Sequence, residues 1–319
     1  MIHYITRKIL HLIPMLLVIS FLIYLGIELM PGDAVDFMIS PDEMATVSAE
    51  ALAQMRATLG LDKPFIVRYF IWLGNLLKGD FGYSLQSGVA VSTLMANTLP
   101  ATLELSVAAL LFSTVVGSFL GVVSALRKNS IADNVLSVFG MIGVAIPQFL
   151  FGLIAIIIFV FRLGWLPVGG RMAPGQEAFL QRMEYLILPA VVLGLALTAG
   201  VMRYSRASML DSLNRDYVKT ARSKGLPEWR VNLVHGFRVA CTPVAVLIGF
   251  RLPMLIGGAV VIEQIFQWPG LGVMFLGAVR AQNTPIVMMV GFFSVLLVLL
   301  ASIIVDILTA LLDPRVKFN

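Results

Sequence analysis

From Ile286 to Val305 the chain runs for 20 residues without a single charge, and it stays almost wholly apolar as far as Leu312. A stretch of about 20 apolar residues is long enough to cross a bilayer as a helix. Inside lipid, backbone polar groups find partners only within a helix or a closed barrel. Five further stretches read the same way: Ile9–Met30, Leu103–Leu126, one within Asn134–Phe161, Tyr185–Met202 and Val239–Ile262. Residues are 59% hydrophobic and 13% charged, with mean hydropathy +0.92; soluble domains carry about a quarter charged residues. The expected fold is an all-α polytopic membrane protein with six transmembrane helices, the whole of 1–319 forming one integral domain. Arg7 and Lys8 precede the first apolar run, which is span-length and is followed by ELMPGD rather than a small-residue cleavage site. It is read as a retained helix, not a removed signal.

Basic residues set the orientation, because Lys and Arg accumulate on cytoplasmic loops. The N-terminus, Arg127–Lys128, residues 203–238 and the tail Arg315–Lys317 hold 14 of the 23 Lys and Arg. Residues 31–102, 162–184 and 263–285 hold eight, and Arg251 falls inside a span. Both termini are therefore expected in the cytosol, and 31–102 outside. Within that external segment, PGD (Pro31–Asp33) and SPDE (Ser40–Glu43) read as turns, and SAEALAQMRATLG reads as a helix stopped at Gly60. The aromatic, apolar run Pro64–Leu77 suits a helix lying at the membrane surface, either as a platform for an external partner or as packing over helix ends. The net charge of +5 follows from cytoplasmic loops and gives no reason to expect nucleic acid. Cys241 has no second cysteine to pair with. His3, His11 and His235 lack the spacing of metal ligands, so no metal site is expected.

The segment Arg203–Arg238 differs from everything around it: eight of the 23 basic residues fall there, between two apolar spans. Met209 or Leu210, Leu213, Tyr217 and Ala221 recur at helical spacing and give an apolar stripe on a basic helix. Gly225 suits a helix terminus, since glycine accepts the left-handed backbone needed there. Pro227 and Glu228 suit the first turn of a second helix. Three readings of this helix–Gly–helix unit stand together: a solvated connector, a basic helix on the membrane surface, or a docking element for a cytosolic partner.

DYVKTARSKGL (Asp216–Leu226) resembles the EAA signature of permease subunits of bacterial ABC importers, with Lys219, Thr220 and Ala221 at the EAA positions and Gly225 after them. PGDAVD after the first span, LGLDKP at 59–64, GDFGYSL at 79–85, TLPATLEL at 98–105, LPAVVLG at 188–194, SRASMLDSL at 205–213, FQWPGLG at 266–272 and the terminal DPR (Asp313–Arg315) resemble the branch that imports dipeptides, oligopeptides and nickel, in its B-type subunit. The resemblance runs the full length. It implies a type I importer permease fold in a bacterial inner membrane, without an ATPase of its own. The chain has no GxxxxGK[ST] phosphate loop. Implied partners are a second homologous permease, two cytosolic ATPase subunits that bind ATP and magnesium, and an extracytoplasmic solute-binding protein. No cofactor is implied on this chain. The hairpin is then the ATPase-coupling element, carried by Asp216, Tyr217, Lys219, Thr220, Ala221, Lys224, Gly225, Leu226 and Trp229.

Ionisable groups at a helix centre in lipid cost about 2.5–3.5 kcal/mol or more and face protein or water. Glu104, Arg251, Glu263 and Asp306 lie in spans, with Glu28 at the end of one. Arg251 sits near the middle of the fifth, where the resemblance implies an uncharged polar residue. It reads either as a translocation-path group that attracts a peptide carboxylate or as part of a buried ion pair. Glu263 and the FQWPGLG residues Phe266, Trp268 and Pro269 read as a path or external gate formed by a re-entrant turn, or as an interfacial aromatic belt. A secondary transporter needs mid-membrane ion sites and often inverted repeats; a membrane enzyme needs a catalytic constellation. Neither pattern is present.

Overall fold

A computed structural model describes residues 2–30, 32–33, 35–36, 39, 47–172 and 179–312. Pro31 of the first turn, SPDE at 40–43 and the DPR tail lie outside the described residues. In chain order the helices are α1 (Ile2–Glu28), α2 (Ala49–Thr58), α3 (Phe65–Leu77), α4 (Val91–Leu126), α5 (Ile131–Ala145) and α6 (Gln148–Ala155), which widens into a π-type stretch, Ile156–Arg162. Then come α7 (Phe179–Leu213), α8 (Asp216–Ser223), a single turn Glu228–Arg230 and a second wide stretch Val231–Phe237. The last helices are α9 (Arg238–Gly258), α10 (Val260–Ile265), α11 (Leu271–Arg280) and α12 (Thr284–Leu312). Among the described residues the one β pairing is an isolated bridge, Tyr83 with Ala90.

Five stretches are long and apolar enough to cross a membrane: Thr6–Glu28, Val91–Leu126, Gln181–Leu213, Glu228–Arg251 and Thr284–Ile307. Where the sequence suggests one span within Asn134–Phe161, the structure instead has two helical pieces, Ile131–Gly143 and Gln148–Arg162, bent by 103°. The cause is local. Pro147 has no amide hydrogen, and its ring disfavours helical geometry at the residue before it. Ile146 accordingly sits extended, with φ −83° and ψ 128°. The second span also begins earlier than its apolar core suggests: α4 starts at Val91, inside the segment assigned to the external loop.

The chain forms two compact units. Among the described residues, one runs through 101–269 and from 298 to 312, the other through 2–100 and 270–297. The core of the first unit gathers Leu105, Leu193, Ile262, Phe266 and Trp268, all at most 2% exposed. Its helices approach closely where side chains are absent. A Cβ built on Gly121 of α4 would lie 2.5 Å from the carbonyl oxygen of Met202 in α7, so the two backbones touch there, as small residues permit between membrane helices.

In the second unit, Val91, Met95, Leu271, Met289 and Val290 form the core. Helix α3 lays its aromatic face on α1. Tyr69 is buried, its ring centroid 5.3 Å from Phe21 and 5.7 Å from Tyr24, and its hydroxyl donates to the Leu17 carbonyl at 3.1 Å. Ile66, Val67, Phe70 and Ile71 remain exposed on the other side. Helix α2 begins at Ser48, whose hydroxyl accepts from the Ala51 amide, and ends before Gly60, which stands at φ +71°. Arg56 of α2 holds Asp33 at 2.6 Å and Asp36 at 3.1 Å.

A glycine-capped hairpin as the candidate functional site

The hairpin at 203–238 is built differently from the two-helix unit read in the sequence. Helix α7 carries span and hairpin base together, without a break, as far as Leu213. The chain then turns through Asn214 and Arg215, the latter extended at ψ 152°, and restarts as α8. Because the helix restarts, the apolar stripe does not run on in register. Met209 is fully buried, but on α8 the inward residues are Val218 (0% exposed) and Ala221 (5%), while Tyr217 turns outward. A two-residue interruption erases the phase relation that the periodicity argument assumes.

Val218, Ala221 and Val231 form a small core, with Leu213 and Leu226 packed against it. Gly225 closes α8 as expected, at φ +75°. Its amide donates to the Arg222 carbonyl at 2.9 Å, and the Leu226 amide reaches the Ala221 carbonyl at 3.4 Å. These two bonds and the Leu226–Ala221 apolar contact form the glycine-terminated helix cap. Leu226 therefore belongs to the hairpin's own core. Beyond Pro227 the second arm is one turn followed by the wide stretch, which leads directly into α9, so that arm is the root of the fifth span and no separate helix.

Opposite this core lies a charged surface. Asp216 stands in the first turn of α8 and Arg222 in the last, each complementing the helix dipole. Lys219 holds Asp216 at 2.9 Å and keeps its carboxyl below the ordinary carboxylate range. Arg222 grips Glu228 through two bonds, 2.9 and 3.2 Å, across the Gly225 bend. The Thr220 hydroxyl donates to the Asp216 carbonyl at 2.9 Å. Lys224 and Trp229 are exposed at the tip, Trp229 at 64%. Tyr217 keeps its ring at the surface while its hydroxyl bonds Ser212 at 2.6 Å; Ser212 in turn donates to the Gly236 carbonyl at 2.8 Å. The result is a knob bent at Gly225, with an exposed tryptophan at its tip and paired charges along its rim.

The second group of candidates is spread through the first unit. Glu263 is fully buried and accepts from Thr102 at 2.6 Å. Phe266 and Trp268 are at most 1% exposed, and Trp268 Nε1 donates to the Ala101 carbonyl at 2.8 Å. These aromatics lie inside the protein, not on a rim; Pro269 beside them is exposed. Glu104 is bound through two contacts of 2.9 and 2.6 Å by Arg171. Arg251 is half-buried against α7: a Cβ built on Gly200 would meet its Nη2 at 2.5 Å. Among the described residues no carboxylate pairs with it. Glu28, at the end of α1 in the other unit, is paired with Arg68.

One buried pair escaped the sequence reading. Asp133 at the start of α5 receives both Nε and Nη2 of Arg206 in the hairpin base, each at 2.7 Å. No local pattern announces two residues 73 positions apart.

Family models match the chain over two segments: the inner membrane component of binding-protein-dependent transport systems at residues 117–318, and the N-terminal part of such membrane components at 1–106. The chain is 41% identical to the oligopeptide transport system permease AppB of Bacillus subtilis, covering 99% of each. It is 37% identical to the di/tripeptide transport system permease DppB of Pseudomonas aeruginosa, again with 99% of each covered. With the glutathione transport system permease GsiC of Escherichia coli strain K12 it shares 31% over the whole of both chains. A crystal structure of an amino acid ABC transporter with histidines overlays 68% of this chain and 94% of that one, at a TM-score of 0.50 and 16% identity, a likeness of fold.

Proposed function

The chain belongs to the inner membrane components of binding-protein-dependent transport systems, and as an ABC importer permease of the peptide type we propose that it forms, with a second permease, the path by which di- or oligopeptides enter the cell. It carries the membrane passage and leaves ATP hydrolysis, with magnesium, to two ATPase subunits in the cytosol. An extracytoplasmic binding protein delivers the substrate. In this reading the chain crosses the membrane six times, the bent α5–α6 pair making one crossing, with both termini in the cytosol and 1–319 acting as a single integral permease.

The observation that carries the coupling role is the hairpin: pre-bent at Gly225, internally cored, and exposing Trp229 and Tyr217 among paired charges. Buried aromatic anchors dominate interface energies, while rim charges set orientation and rate. Asp216, Lys219, Thr220 and Lys224 accordingly orient the knob in an ATPase groove. Trp229 and Tyr217 anchor it, and Ala221, Gly225 and Leu226 hold its shape. ATP closes the ATPase pair, the knobs move together, and the path changes the side to which it opens.

Arg251 faces the path and attracts the substrate's carboxylate; Glu263, Phe266, Trp268 and Pro269 form the frame of its outer gate. The same fold with a different binding protein would carry nickel, glutathione, haem or an oligosaccharide. Purifying the tagged chain with its neighbours tests the proposal: two ATPase subunits and a second permease are expected, and Trp229→Ala should release the ATPases. Peptide uptake by the chain alone, without ATP, would point to a secondary transporter.

A further inference from the structure

Every charge inside a low-dielectric environment needs a reason, and the most heavily invested one in this chain is Asp133. Its side chain is 3% exposed. Four donors converge on it: Arg206 Nε and Nη2, each at 2.7 Å, the Asn129 amide at 2.9 Å, and the Ser124 hydroxyl in a short hydrogen bond. The donors come from three different places. Ser124 lies in the last turns of α4, Asn129 in the α4–α5 loop at φ +64°, Asp133 in the first turn of α5, and Arg206 in the part of α7 that becomes the hairpin base. Ser130 caps the same helix end, its hydroxyl accepting from the Asp133 amide at 3.2 Å. One turn before Ser124, Gly121 lets α4 touch the α7 backbone from Met202 to the amide nitrogen of Arg206. Three helices thus meet at one carboxylate. A planar guanidinium held through two bonds fixes both position and angle.

A buried ion pair is poor evidence for stability, because desolvation offsets most of the attraction. Its worth lies in geometry. We infer that the Asp133–Arg206 pair is the joint that makes α4, α5 and the hairpin base one rigid lever, so that hairpin displacement becomes displacement of the helices and is not absorbed in the loop. Asp133 and Arg206 are positioning residues: they touch neither substrate nor nucleotide.

This inference rests on the hairpin's docking role, and the test separates the two. Asp133→Asn, Arg206→Lys and Ser124→Ala are each assembled with the partner subunits in proteoliposomes, and peptide uptake and ATP hydrolysis are measured together. Asp133→Asn and Arg206→Lys should keep ATP hydrolysis while uptake per ATP falls by about tenfold, within the range of ordinary coupling energies. Ser124→Ala, which leaves the ion pair, should lose uptake per ATP by about threefold or less. Arg206→Lys retains the charge and guards against loss of folding in the Asp133 variant. If uptake and hydrolysis fall in proportion to assembled complex, with uptake per ATP unchanged, the pair is merely structural and the inference is overturned. If Gly225→Pro in the hairpin itself leaves coupling intact, the docking role fails instead.

Discussion

Substitution at Gly225 isolates backbone geometry from every other variable in the hairpin. The residue sits at φ +75°, and a Cβ placed there meets no atom within 4 Å. Any effect of a side chain is therefore conformational rather than steric crowding. For an ordinary L-residue the left-handed region costs about 1–2 kcal/mol, while Asn and Asp enter it more readily. Gly225→Ala should shift the balance between bent and rearranged hairpin by roughly tenfold, taking about 1.4 kcal/mol as the strain. Gly225→Asn should do far less. Gly225→Pro is different in kind: its fixed φ near −65° is incompatible with the bend, and it deletes the amide that donates to Arg222. Gly225→Asp should be milder than Gly225→Pro, because Asp enters the left-handed region more readily than other side chains. The assay is peptide uptake per ATP hydrolysed by the reconstituted complex, with hydrogen exchange at 216–230 reporting the local opening. The expected order of damage is Pro, then Ala, then Asp and Asn. Equal values for Ala and Asn, or a Pro variant that couples as the parent does, would show that the left-handed bend is not what the ATPase reads.

Three other outcomes follow from separate features. Arg251→Gln should lower uptake of peptides with a free C-terminal carboxylate relative to their amides, measured as competing initial rates; an unchanged ratio removes Arg251 from the path. Trp268→Ala should cost about 3–5 kcal/mol as a fully buried large-to-small change, seen as lowered thermal stability of the purified complex. Trp268→Phe, which chiefly loses the bond to the Ala101 carbonyl, should cost about 1 kcal/mol. Asp33 gives a pH effect of definite sign. Burial alone would raise its carboxyl, but the Arg56 guanidinium and the Asp36 and Val35 amides outweigh that and lower it. A depressed folded value stabilises above the unfolded value and is lost as pH falls through the folded one. Hydrogen exchange in α2 should therefore rise on acidification below about pH 4, and Asp33→Asn should abolish that response.

The span inventory was legible because bilayer thickness and backbone satisfaction act on runs of residues, which composition records directly. Five long helices fall where the apolar runs do. The exception, the bend at Ile146–Pro147, was also written in the chain, since Pro147 is there to see. Apolarity on both sides masked it, because hydropathy sums over the very residue that breaks the helix. Hairpin termini were legible for a similar reason: Gly225 and Pro227 act through their own backbones. The stripe through Tyr217 was not, since Asn214 and Arg215 carry no strong breaker signal yet reset the phase.

What the sequence could not reveal is how charges choose their partners. Glu28, Glu104 and Asp133 look alike as lone acids beside apolar runs, but each is held by an arginine 40 to 73 positions distant. Such pairing gives these three acids a structural partner. Arg251 differs in its surroundings: apolar helix on its own side, bare Gly200 backbone opposite, and no carboxylate among the described residues. On the proposed function, a cation so placed meets a visiting anion. On the proposal that Arg251 lines the path, an Arg251→Gln variant should lose the preference for free over amidated peptides, and an unaltered preference would refute that role.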